Sequence, residues 1–208
     1  MTRLIEVPTQ FDDRSFDQFA AAYAQAIDGE GGGGGGVQGG GGGPRERLLF
    51  DAHAAEWASP YGLVGLLAAG EAAARTGERP LLTAPANPDV VSYWARAGFF
   101  REAADLFEVH GKVPKTKVLV ESDVLLPVTP VRAAEDVHAV VSTIQQRASA
   151  ILNSELGLDP KATMGFAMAL SESCQNIVEH AGTGGWVAVQ AYNWRRKLAR
   201  RVVVIAVA

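Results

Sequence analysis

The stretch ALSESCQNIVEHAG, residues 169–182, is the one from which the rest of the chain is read. Glu172, Asn176 and His180 recur at i, i+4 and i+8, which places them on one stripe of an α-helix. Gly165 and Ala169 lie under that stripe and leave it shallow. Phe166, Leu170, Cys174 and Ile177 recur every three or four residues on the other side, as a core face requires. Such a helix packs by one face and offers a carboxylate and an amide from the other. A carboxylate accepts a proton from water. An amide oxygen one turn away helps to hold Mg²⁺, a hard cation that prefers oxygen ligands and keeps several waters. The pairing suits activation of a nucleophile beside a metal-bound triphosphate. Read without that chemistry, the same residues form a surface helix with its polar side in solvent.

Working outward, Asp159-Pro160 starts this helix, with proline in its first turn. A long helix is expected at 133–155, with Val137, Val141, Ile144, Ala148 and Ile151–Leu152 on its apolar stripe and Gly157 ending it. Leu125–Pro130 reads as a strand or extended lead-in. Trp186–Tyr192 alternates as a strand, and Val202–Ala208 is a second one. Between them Arg195, Arg196, Lys197, Arg200 and Arg201 make a basic turn, read as solvated or as an anion or partner contact.

Ser-Glu-x-x-x-Asn-x-x-x-His-Ala after a small apolar run resembles the N-box of the GHKL (Bergerat) ATPase and kinase superfamily. It looks closest to the anti-sigma-factor serine kinases. The resemblance covers about residues 125–208. It implies ATP and Mg²⁺ as cofactors, Glu172 as general base and Asn176 as Mg²⁺ ligand. His180 and Ala181 match the end of the motif and so belong to the cofactor site. In that superfamily an Asp-x-Gly-x-Gly box follows the strand equivalent to Val202–Ala208, and its Asp reads the adenine. No such box follows here, so the ATP site is expected to be cut short and ATP binding weak or absent. The family implies an ATP-dependent protein serine kinase or ATPase; whether this chain is itself an enzyme is left open.

The front half alternates differently. Strands are expected at 3–8, 48–52 and 80–84. Helices are expected at 14–27, at Tyr61–Thr76 ended by Gly77, and from Asp89 to Ala97 closed by Gly98. Asp13 or Ser15 caps the first helix and Asp89 the third. Phe99, Phe100, Leu106 and Phe107 supply apolar bulk. The alternation predicts an α/β layer. Residues 29–43 are almost all glycine and read as a flexible loop. A GxGxxG match at Gly31, Gly33 and Gly36 is trivial there, because the strand–loop–helix context is missing.

Residues 47–109 resemble STAS domains, the fold of anti-sigma-factor antagonists. The loop that carries the phosphorylated serine in those proteins reads Ser59-Pro60-Tyr61-Gly62 here, with Pro60 on the acceptor position. The resemblance implies a non-phosphorylatable partner module, with Ser59, Tyr61 and Gly62 at the partner site and helix Tyr61–Thr76 as the partner face. The plainer reading is a helix start, Ser59 as N-cap and Pro60 in the first turn. The whole is then an α/β chain: a STAS-like domain at 1–112, a linker at 113–124, and an incomplete Bergerat-type α/β sandwich at 125–208.

Composition bounds these readings. With 208 residues, 48% hydrophobic, and a formal charge of −4, the chain lacks the basic surface of a general nucleic-acid binder. It has no signal-like start and no apolar run of spanning length, so a cytoplasmic protein off the membrane is expected. Cys174 alone makes no internal disulfide and sits on the core stripe. His53, His110 and His138 have no ligand partner at i+3 or i+4. Trp57 and Trp94 are core or interface anchors. The expected partner is a regulatory protein of the sigma-factor pathway type, and a homodimer is allowed. The competing expectation is a non-enzymatic STAS-type interaction module.

Overall fold

The computed structural model describes residues 2–28, 47–114, 125–132, 137–153, 157, 159–180, 184–193 and 201–208. The glycine tract, most of the expected linker and the basic turn at 194–200 lie outside them. The chain folds as α/β. Strands β1 (Thr2–Glu6), β3 (Arg47–Asp51), β5 (Leu81–Thr83) and β6 (Glu108–His110) form a parallel sheet in the order β1-β3-β5-β6. A short parallel pair, β2 (Gln10–Phe11) and β4 (Trp57–Ala58), stands beside it. Helices α1 (Asp13–Asp28), α2 (Pro60–Thr76), α3 (Pro88–Arg96) and α4 (Phe99–Leu106) connect these strands. Strands β7 (Leu125–Val131), β8 (Gly185–Asn193) and β9 (Arg201–Val207) form an antiparallel sheet in that order, with α5 (Val137–Ile151) and α6 (Pro160–His180) between β7 and β8.

Local chemistry sets the helix starts, and two caps differ from expectation. The α1 cap is Asp12, not Asp13 or Ser15. Its Oδ1 accepts from the backbone N–H of Arg14 (3.0 Å) and Ser15 (3.2 Å), while Ser15 Oγ accepts from Asp12 N–H (3.0 Å). That is a reciprocal capping box, and Phe11 stacks on Phe16 at 6.0 Å as the staple across it. The α3 cap is Asn87, not Asp89: Asn87 Oδ1 accepts from Asp89 N–H at 2.9 Å. Ser59 caps α2, accepting from Gly62 N–H at 3.3 Å, with Pro60 in the first turn. The apolar bulk at 99–106 is itself a helix that Phe107 leaves in an extended conformation, and β6 is a strand that sequence reading did not expect.

Helix α2 is apolar around its circumference from Gly62 to Gly70, and Glu71 and Arg75 pair with each other beyond it. Leu63, Val64, Leu66, Leu67, Ala69 and Ala73 are all buried. A helix of that kind must be covered on every side. On one side it meets α1 and α4, and on the other the strands β8 and β9. Glycines set the distance. A Cβ at Gly62 would lie 2.5 Å from Phe11 O, and Cβ atoms at Gly65 and Gly70 would strike the rings of Phe16 and Phe107.

The second sheet is covered on both faces. Val128, Trp186, Ala188 and Ala206 join the core built around α2. Leu126, Val131, Val187 and Val189 join Ala148, Ile151, Leu170 and Cys174 beneath α5 and α6. The strict alternation along β8 follows from the period of two. A polar seam accompanies the first contact. Glu102, 5% exposed, accepts from Arg101 Nε (2.6 Å), Arg132 Nη2 (3.0 Å) and Trp186 Nε1 (3.3 Å). Val128 N–H donates to Ala97 O at 2.8 Å. Tyr93 OH donates to Gln190 Oε1, and burial pushes its pKa up, which keeps the donor proton in place.

The two kinds of helical glycine give opposite outcomes. Gly70→Ala overpacks against Phe107 and is expected to cost about 1–3 kcal/mol in denaturant unfolding. Gly165→Ala, where nothing lies within 4 Å of the new methyl, is expected to add roughly 0.5–1 kcal/mol through helix propensity.

Candidate functional site

Helix α6 is set at its start by a turn and two hydrogen bonds. Gly157 turns the chain with φ +63°. Asp159 Oδ1 accepts from Ala162 N–H at 2.9 Å. Thr163 Oγ1 donates to Asn153 Oδ1 at 2.9 Å, which ties the helix to the end of α5. Leu170 and Cys174 are buried against β7 and β8, Phe166 packs beside them, and Ile177 reaches the backbone of Gly185. The outer face is open: Gly165, Ala169, Glu172, Ser173 and Asn176 are exposed. Ser173 Oγ is occupied by its own helix, donating to Ala169 O at 2.9 Å.

The stripe is longer than sequence reading drew it. Met164 and Met168, each 67% exposed, continue the same four-residue series that leads to Glu172 and Asn176. Beyond Lys161, the outer face is therefore apolar up to Ala169 and polar from Glu172 on. The spacing signals this directly: 164, 168, 172 and 176 lie one above the next. Exposed methionines suit an adaptable apolar contact. His180 is the last residue of α6; its side chain and Ala181 lie outside the described residues.

The Ser59–Gly62 turn is elsewhere. Helix α2 lies on one face of the second sheet and α6 on the other, so the two candidate sites do not meet. Ser59 and Gly62 are buried, as a cap and a close approach. Tyr61 alone presents its side chain, 38% exposed and edge-on to Phe16 at 5.0 Å. The expected partner face along α2 is taken up by this chain's own β8 and β9. What remains open is a groove of about 930 Å³ lined by Ser59, Tyr61, Trp57, residues 10 and 12–14, and residues 202–205.

Trp94 is a core anchor, fully buried and edge-on to Phe99 at 4.9 Å. Trp57 bridges to the second sheet, 6.0 Å from Tyr192. Among the described residues no three His, Cys, Asp or Glu side chains gather as metal ligands do, and no helix is long and apolar enough to cross a membrane. Comparison with family models, curated proteins and solved structures gave no match.

Burial raises the Cys174 thiol to about 11 from an ordinary 9.0. The unfolded chain loses this proton first as pH rises, so the stability it contributes is full below pH 9 and falls away between pH 9 and 11. Alkylation by iodoacetamide at pH 8 is expected to follow the rate of opening rather than that of an exposed thiol, and rapid labelling of the native chain would contradict the burial.

Proposed function

We propose that this chain is a cytoplasmic signalling regulator of the anti-sigma-factor kinase kind, and that the outer stripe of α6 is its contact with a Mg²⁺-bound triphosphate. One observation carries the reading. The face of α6 that would be buried in an ordinary amphipathic helix is buried, while Glu172 and Asn176 stand exposed one turn apart over a floor of Gly165 and Ala169.

The donor set fits the group. Asn176 would give an amide oxygen to Mg²⁺, a hard cation that prefers oxygen ligands. Glu172 would hold the nucleophile and accept its proton. The bound cation neutralises charge on the phosphate oxygens. Gly165 and Ala169 keep one flank of the stripe low for phosphates and their waters, while Met164 and Met168 continue it below Glu172. Residues 1–208 hold no Asp-x-Gly-x-Gly, so these residues supply no adenine contact of that kind. The acceptor implied by the resemblance is a protein side chain, in a partner of the sigma-factor pathway type.

A second reading rests on a different observation. The groove beside Tyr61 supports a partner-binding module of the STAS kind that does no chemistry.

Titration calorimetry separates the two. The first reading expects Mg·ATP and Mg·triphosphate to bind equally weakly, with Kd about 1 mM (roughly −4 kcal/mol). Asn176→Ala is expected to remove both signals. No heat from either ligand, or heat unchanged by Asn176→Ala, would leave the second reading.

A further inference from the structure

The groove beside β9 has a feature that identifies its ligand by chemistry. Val202, Val203, Val204 and Ile205 all line it. Side chains of consecutive strand residues point to opposite faces, so four in a row share a cleft only through their backbone edge. That edge is the one away from β8, and β9 is the outer strand of its sheet among the described residues.

The register says which groups are offered. Trp186 and Ala208 exchange both backbone bonds, with Trp186 N–H donating to Ala208 O at 2.6 Å and Ala208 N–H to Trp186 O at 3.0 Å. In an antiparallel ladder such pairs recur every second residue. Ala206, Val204 and Val202, opposite Ala188, Gln190 and Tyr192, therefore turn their amides to β8. Val203 and Ile205 turn theirs into the groove. These N–H and C=O groups have the alternate spacing of a strand, about 7 Å for two residues.

The occupant that fits is an extended peptide. Natural edges are blunted by lysine, proline, bulges or a covering element. After Arg201 at its start, β9 reads VVVIAV over residues 202–207, with no charge or proline. Across the groove stand Trp57 and Tyr61, an aromatic wall for side chains of an inserted strand. Asp12, Asp13 and Arg14 also line the groove, two carboxylates to one guanidinium, with Asp13 and Arg14 exposed and Asp12 capping α1. The excess carboxylate favours a basic residue.

We propose that this groove is a β-addition site, in which an extended, basic segment of a partner protein pairs with the backbone of Val203 and Ile205 between β9 and the Trp57–Tyr61 wall. It does not rest on the chemistry of α6, which lies across the sheet.

The test uses the 208-residue chain and the amidated peptides KVTVTV, EVTVTV and KVPVPV, with binding read from NMR amide shifts. KVTVTV is expected to bind and to shift Val203 and Ile205 most. EVTVTV is expected to bind about tenfold more weakly, and KVPVPV, which lacks the pairing N–H groups, not at all. Val203→Pro removes a groove-facing N–H without touching the β8 ladder, and is expected to lose binding. Val203→Ala, which trims the side chain but keeps the N–H, is expected to retain it. Asp13→Lys is expected to reverse the charge preference, and this arm stands even where Val203→Pro fails to fold. Absence of KVTVTV binding, or equal binding by Val203→Pro and wild type, would overturn the proposal. So would a concentration-dependent dimer in sedimentation that Val203→Pro dissolves, since the edge would then serve a second copy.

Discussion

From Gly62 to Gly70 helix α2 is apolar around its whole circumference, and layers on both sides have to close on it. The parallel sheet and its helices cover one side; β8 and β9 cover the other. Each leucine taken fully from water contributes on the order of 1.5–3 kcal/mol, and α2 buries Leu63, Leu66 and Leu67 completely. The second sheet is thus fixed by the sequence of a helix far from it in the chain. Its own far face then needs cover, which α5 and α6 supply. The outward direction of Glu172 and Asn176 is the last consequence of that stack, because Leu170 and Cys174 have to point inward.

A polar seam fixes how the layers meet. An unpaired carboxylate at the depth of Glu102 would be costly, whereas this one has two guanidinium groups and an indole N–H around it. Its donors come from α4, from the residue after β7, and from β8, so the group registers the two sheets against each other. Apolar contacts alone would hold them together without choosing that alignment. The Tyr93–Gln190 bond and the Trp57–Tyr192 ring contact mark the same boundary farther along.

Much of this was legible where a period or a cap carries it. The face division of α6 follows from its spacing of three and four. Ser59-Pro60 and Asp159-Pro160 mark helix starts, and β8 shows its alternation. The strands of the parallel sheet were found from short apolar runs, but β2, β4 and β6 are two or three residues long and hold no period to read. The caps of α1 and α3 fall one and two residues before the earliest position considered, where side-chain geometry rather than residue type decides. The covering of α2 was missed for a different reason. Its all-round apolarity was visible in the leucines and alanines, yet it was assigned to a partner when this chain supplies the cover. Met164 and Met168 belong to a stripe whose polar end alone had drawn notice. The groove depends on β9 standing across from Trp57 and Tyr61, a contact between residues over 140 positions apart in the chain.

What joins fold to function is the claim that the polar end of the α6 stripe receives a metal-bound triphosphate. Paramagnetic broadening by Mn²⁺·ATP, read on backbone amides, tests it most directly. Loss of the Glu172–Asn176 signals first, then Met168, with Trp57 and Tyr61 across the sheet unaffected, is the expected result. Broadening centred on the groove, or none along α6 while other amides respond, would contradict it.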